Sequence, residues 1–127
     1  MSKRRKVKIL RGKFYTTFHT GKRGHPSLVF RLDRKNNKYW LVVFDTTGRN
    51  DRIMLKVPIE TGIKASFVHK RPTIASHGDL GDHELSGIKI DKIDKPRIEV
   101  VKRRRPFLTK KYKRYLMLNN KKARKRT

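Results

Sequence analysis

The sequence predicts a mainly β fold: a small barrel with a short helical segment near its C-terminal end and a basic extension at each terminus. Three observations predict it. Five or six short runs of apolar, aromatic and β-branched residues have strand length and composition. Clusters of Asp, Asn, Gly and Pro separate those runs, as turns do. A 3.6-residue apolar period, the mark of a helix, appears only late in the chain.

The elements follow in order. Val7-Lys8-Ile9-Leu10 is a short apolar patch able to open a first strand, and Lys13 to Phe18 is rich in aromatic and β-branched residues. Ser27 to Leu32 reads as a strand, Asp33 to Lys38 as a turn, and Tyr39 to Asp45 as a buried strand; together they form the clearest hairpin. Thr46 to Asp51 turns again, and Arg52 to Val57 is a strand closed by Pro58. Ile63 to His69 alternates and stops before Pro72, and residues 74–90 suggest short pieces in a loop-rich stretch. Pro96 suits the first turn of a helix with Asp94 as its cap, and Thr109 suits the cap of a second helix. Leu108, Tyr112, Tyr115 and Leu116 lie at i, i+4, i+7 and i+8, an apolar stripe fit to dock on the barrel or on a protein partner. Short strands with one late helix favour an SH3-like barrel, with Trp40, Phe30, Phe44, Leu41, Val43 and Leu55 as its core.

Length and charge divide the chain further. Its 127 residues fit one domain with extensions: 1–13 a basic N-terminal extension, 14–101 the core, and 102–127 a basic C-terminal helix and tail. Lys and Arg number 36 against 10 Asp and Glu, a formal charge of +26. Twenty of those basic residues lie in the two extensions, which hold no acid, leaving 16 and all 10 acids in the core. Acid-free basic blocks repel themselves and settle on a polyanion. Their expected phosphate contacts are Lys3, Arg4, Arg5, Lys6, Lys8, Arg11 and Lys13 at one end. At the other they are Lys102, Arg103, Arg104, Arg105, Lys110, Lys111, Lys113, Arg114, Lys121, Lys122, Arg124, Lys125 and Arg126. Lys22, Arg23, Lys70 and Arg71 add two clusters within the core. Binding through such contacts falls steeply with salt.

Several classes are excluded or left without a motif. With no cysteine there is no disulfide, thiolate zinc site or cysteine nucleophile. The longest apolar run, Trp40 to Phe44, is too short for a bilayer, and no signal-peptide pattern follows the N-terminus, so a cytoplasmic protein without membrane contact is expected. No phosphate-cradling glycine loop is present, and no cofactor is expected. His77, Asp79, Asp82, His83 and Glu84 cluster, but their spacing matches no ligand pattern, so no metal is expected. His25, between Gly24 and Pro26, is either a general acid or base or a turn histidine. Asp45-Thr46-Thr47, ending the most apolar strand, either meets a substrate at the barrel mouth or makes a turn.

Gly24-His25-Pro26-Ser27-Leu28-Val29, then Tyr39 to Asp45-Thr46-Thr47, then Ser66-Phe67-Val68 give an order of features that resembles the MazF/PemK family over residues 12–100. Members are plasmid-maintenance toxins that cut messenger RNA without metal on a dimeric SH3-like barrel. The resemblance therefore implies that fold, a homodimer and a toxin–antitoxin or mobile-element setting. It maps the family's catalytic Thr to Thr46 or Thr47 and a strand-opening Ser to Ser66. His25-Pro26 stands where the family has Arg-Pro.

Three functions follow as expectations. The first is a non-catalytic nucleic-acid binder, RNA slightly before DNA, gripping phosphates as a ribonucleoprotein subunit or mobile-element accessory protein. The second is a metal-independent endoribonuclease with His25 as acid or base, Thr46 orienting the phosphate, and Arg49, Arg52 or Arg71 stabilising its charge. The third is a protein-binding inhibitor or scaffold using the 108–116 stripe.

Overall fold

A computed structural model describes residues 8–18, 24–60 and 64–125, with side chains through residue 119. The chain order is β1 (Phe14–Thr17), β2 (His25–Asp33), β3 (Lys38–Asp45), β4 (Arg52–Glu60), β5 (Lys64–His69), β6 (Thr73–Ala75), β7 (Leu80–Leu85), α1 (Lys95–Lys102), β8 (Phe107–Leu108) and α2 (Lys110–Lys125). The fold is mainly β. Strands pair antiparallel in the order β4-β5-β3-β2-β1-β7, β6 adds to β3, and β8 lies parallel to β6.

The β2–β3 hairpin is built from local chemistry. The Asp33 carboxylate accepts hydrogen bonds from the backbone and side-chain nitrogens of Asn36, at 3.3 and 2.7 Å. Asn37 takes the left-handed conformation, φ 52°, which Asn tolerates. Alternation then sends Leu41 and Val43 to one face and Val42 and Phe44 to the other, and all four are buried.

The expected closed barrel does not form: β4 and β7 end the ladder, so among the described residues the sheet stays open. Two features account for this. One edge of β3 is shared, with β6 along Tyr39–Leu41 and β5 along Phe44–Asp45. The space between the sheet's ends is filled by side chains instead, since Leu55 and Ile59 of β4, Leu85 of β7 and Ile98 and Val101 of α1 meet in one cluster with Phe14, Leu28, Val42 and Phe44. The opposite face of β1–β3 buries Tyr15, Val29, Tyr39, Leu41 and Val43 with Ile9, Ala75 and Leu80.

Further details depart from the sequence expectations. Trp40 is half-buried and outside both clusters. Strand β4 runs through Pro58 to Glu60, with irregular register between Met54 and Ile59. It ends the sheet, where a missing N–H leaves no ladder bond unmade. Asp94, fully buried, makes no side-chain cap on α1; its two oxygens instead accept the backbone N–H groups of Lys56 and Val57, each at 2.9 Å. That carboxylate satisfies donors which the β4 irregularity removes from the ladder. Thr109 does cap α2, accepting from the Tyr112 N–H at 3.2 Å. Its hydroxyl donates to buried Asp79, which also accepts from the Ser76 N–H and hydroxyl. Residues 74–90 thus hold two strands and a single 3-10 turn at His77–Asp79, organised by one buried acid. Among the described residues no helix is long and apolar enough to cross a membrane.

Candidate functional site

Four strand ends meet at one rim of the sheet. Asp45 closes β3, His25 opens β2, Arg52 opens β4 and His69 closes β5. Pairing makes them neighbours: Ser27 lies opposite Val43, Asp45 opposite Phe67, and Arg52 opposite His69. The Asp45 Oδ2 atom stands 3.1 Å from an Arg52 Nη, 3.3 Å from His25 Nδ1 and 3.6 Å from His69 Nε2. Its Oδ1 accepts the Thr47 N–H at 3.0 Å, the turn that ends the strand. Arg52 also donates from Nη1 to the Thr47 carbonyl at 2.6 Å. The turn itself needs Gly48, where a Cβ would sit 2.8 Å from the Phe67 ring.

All four side chains are nearly enclosed, Asp45 most of all at 5% exposure and His25 least at 14%. Burial alone raises the Asp45 pKa, but the Thr47 N–H, His25, Arg52 and His69 together bring it below its ordinary value. Asp45 is therefore a fixed anion. Burial, helped by the Arg52 charge, lowers the His69 pKa and outweighs the pull of Asp45 and Asp51 in the other direction. His69 is therefore neutral at neutral pH, with the protonation state of a base. Its ring lies 6.4 Å from that of His25, centroid to centroid.

Beside this cluster opens a cleft of about 280 Å³, lined by Arg49, Asp51, Arg52, His69, Thr73, Phe107, Leu108 and Thr109. Its outer lip is basic. Arg71 donates to the Arg105 carbonyl at 2.7 Å and to the Pro106 carbonyl at 3.3 Å, and its guanidinium lies 3.5 Å from the centre of the Phe107 ring. Arg104 donates to the Lys70 carbonyl at 3.3 Å. The basic pairs Lys70–Arg71 and Arg104–Arg105, more than thirty residues apart in sequence, are thereby laced together.

No family model, curated protein or solved structure matches this chain.

Of the candidate catalytic residues, His25 and Arg52 share Asp45, and Arg49 and Arg52 line the cleft. Thr46 is exposed on the turn after Asp45 and does not line the cleft. Arg71 is held on the 105–107 segment. Among the candidate phosphate contacts, Lys8, Arg11, Lys13, Lys70, Arg103, Arg104, Arg105, Lys110, Lys111, Lys113 and Arg114 are exposed, and Lys102 is half-buried beside Glu99. Lys13 lies 3.7 Å from Glu84, and Lys111 donates to the Gly78 carbonyl. Lys3, Arg4, Arg5, Lys6, Lys22, Arg23 and Arg126 lie outside the described residues, as do the side chains of Lys121, Lys122, Arg124 and Lys125. In the apolar stripe, Tyr112 is buried and stacks on Tyr115 at 5.9 Å, while Leu108, Tyr115 and Leu116 are half-buried.

Sequence reasoning passed over His69, Phe107, Thr73 and Thr109 as cleft residues. In the sequence His69 is legible only as the end of a strand, since its role depends on β5 pairing with both β3 and β4. Among the described residues no group of three or more His, Asp or Glu side chains is arranged to hold a metal ion.

Proposed function

We propose that this is a nucleic-acid-binding protein that grips phosphate backbones through basic surfaces, with RNA preferred to DNA. The observation that carries this reading is the laced group of Lys70, Arg71, Arg104 and Arg105 beside the cleft, in which Arg104 and Arg105 belong to the acid-free C-terminal block. Like charges held side by side repel, and a polyanion relieves that repulsion. RNA is preferred because an accessible cleft beside a basic lip suits a looped or unpaired strand better than a regular duplex. The open sheet is read here as a variant of the SH3-like barrel that the MazF/PemK resemblance implies, because β1–β5 and β7 all contribute to one core under α1. Fluorescence anisotropy of labelled RNA and duplex DNA with the intact chain at low salt tests the reading. Saturable binding of RNA supports it, and no binding of either ligand ends it.

A specific observation favours a second reading, the metal-independent endoribonuclease. Two histidines share one carboxylate beside an arginine, at the wall of a cleft of nucleotide size. A neutral His69 has the form needed to accept a proton from a ribose 2′-hydroxyl, and Arg52 supplies positive charge beside it. Incubation with labelled RNA in EDTA, comparing the wild type with His69→Ala and His25→Ala, decides between the two. Cleavage lost in the variants makes the protein an enzyme, whereas intact RNA throughout, with binding retained, leaves it a binder.

A further inference from the structure

We propose that the face around Trp40 is a separate contact for nucleic acid, a stacking platform for an unpaired stretch of RNA. The inference rests on the nucleic-acid reading above but on none of the terminal charge. Trp40 of β3 lies directly opposite Arg31 of β2, and Lys38 is two residues before it on the same face. The Arg31 guanidinium carbon is 4.5 Å from the centre of the Trp40 ring and the Lys38 Nζ is 4.3 Å from it. Beside them a groove of about 330 Å³ is lined by Arg11, Phe30, Arg31, Leu32 and Arg34. Arg34 is fixed there by its hydrogen bond to the Ile9 carbonyl, 2.7 Å.

Two cations on one half-buried indole are more than packing needs, because the second repels the first. A nucleic acid resolves the arrangement. Its phosphates draw the two cations, and a base takes the ring face, since aromatic side chains and arginine planes both stack on bases. A duplex hides its base faces within the stack, so the fitting ligand is single-stranded. Asp33, the acid that ends β2, is held in its turn by Asn36 and does not line the groove.

Trp40 is the chain's single tryptophan, so its emission reports this face alone. The intact protein is titrated with a short oligouridylate and with an RNA duplex of equal length, following both tryptophan emission and the anisotropy of labelled RNA. The expected result is saturable quenching by oligouridylate and little by duplex. Arg31→Gln with Lys38→Gln should weaken oligouridylate binding about tenfold, and Trp40→Leu should do the same once its urea midpoint shows it folded. Binding by anisotropy with unchanged emission, or unchanged affinity in the double variant, overturns the platform while the nucleic-acid reading stands. Equal quenching by duplex overturns the single-strand assignment, and no anisotropy change with any ligand removes both.

Discussion

The Arg52 guanidinium lies 3.1 Å from the Asp45 carboxylate, so one buried cation fixes the acid on which two histidines converge. This pair organises the rim: it ties the start of β4 to the end of β3 although the strands are not ladder neighbours. Removing the anion leaves a cation with 8% of its side chain exposed, facing only the exposed carboxylate of Asp51 at 3.9 Å.

Asp45→Asn is accordingly expected to lower stability by about 3 kcal/mol, because breaking a buried pair strands the surviving charge. Urea denaturation checks this. A double variant, Asp45→Asn with Arg52→Gln, should recover part of the loss.

The same cluster gives a pH dependence. His69 has a folded pKa below its ordinary 6.5, so the unfolded chain binds that proton more readily. The stability contributed by neutral His69 is complete above 6.5 and declines as pH falls through its folded pKa. Asp45, also lowered, contributes stability that is complete above its ordinary 3.8 and is lost on further acidification. Both act in the same direction. The urea midpoint should therefore fall as pH is lowered from 7 to 5, and His69→Gln should flatten that slope.

Asp94→Ala should cost about 3 kcal/mol, since two part-buried backbone hydrogen bonds lose their buried, charged acceptor. A cap on α1 alone would cost about 1 kcal/mol. Urea denaturation of Asp94→Ala distinguishes the two magnitudes.

Thr109→Ala should cost about 1–2 kcal/mol by uncapping α2 and leaving Asp79 one donor short. Thr109→Ser keeps the hydroxyl and should stay within about 0.5 kcal/mol of wild type. Thermal or urea unfolding of both variants checks the pair.

These residues show what the sequence could disclose. The β2–β3 hairpin was legible because its turn is local: Asp33, Asn36 and Asn37 make their own bonds, flanked by alternating apolar residues. Thr109 was legible as a cap for the same reason. Asp94 also stood where a cap belongs, but its partners in β4 are 37 and 38 residues away and leave no local signal. Trp40 has the composition of a core residue, yet the register shift between Val29 and Arg31 brings it opposite an arginine. The N-terminal extension is legible as charge but not as a packed segment, since Ile9 is buried within it; in the C-terminal one the helix and its Thr109 cap are legible, whereas the two-residue β8 beside β6 is not. Barrel closure depends on which strand meets which, and periodicity does not encode that.

The most direct test of the central claim is the salt dependence of RNA binding, measured for the full chain and for residues 8–119. That truncation removes nine basic residues and retains the buried Ile9, Thr109 and Tyr112. For a single strand the slope of log affinity against log salt should become shallower by up to about 6, at about 0.7 for each lost phosphate contact. An unchanged slope and affinity would contradict the claim that basic termini hold the phosphate backbone.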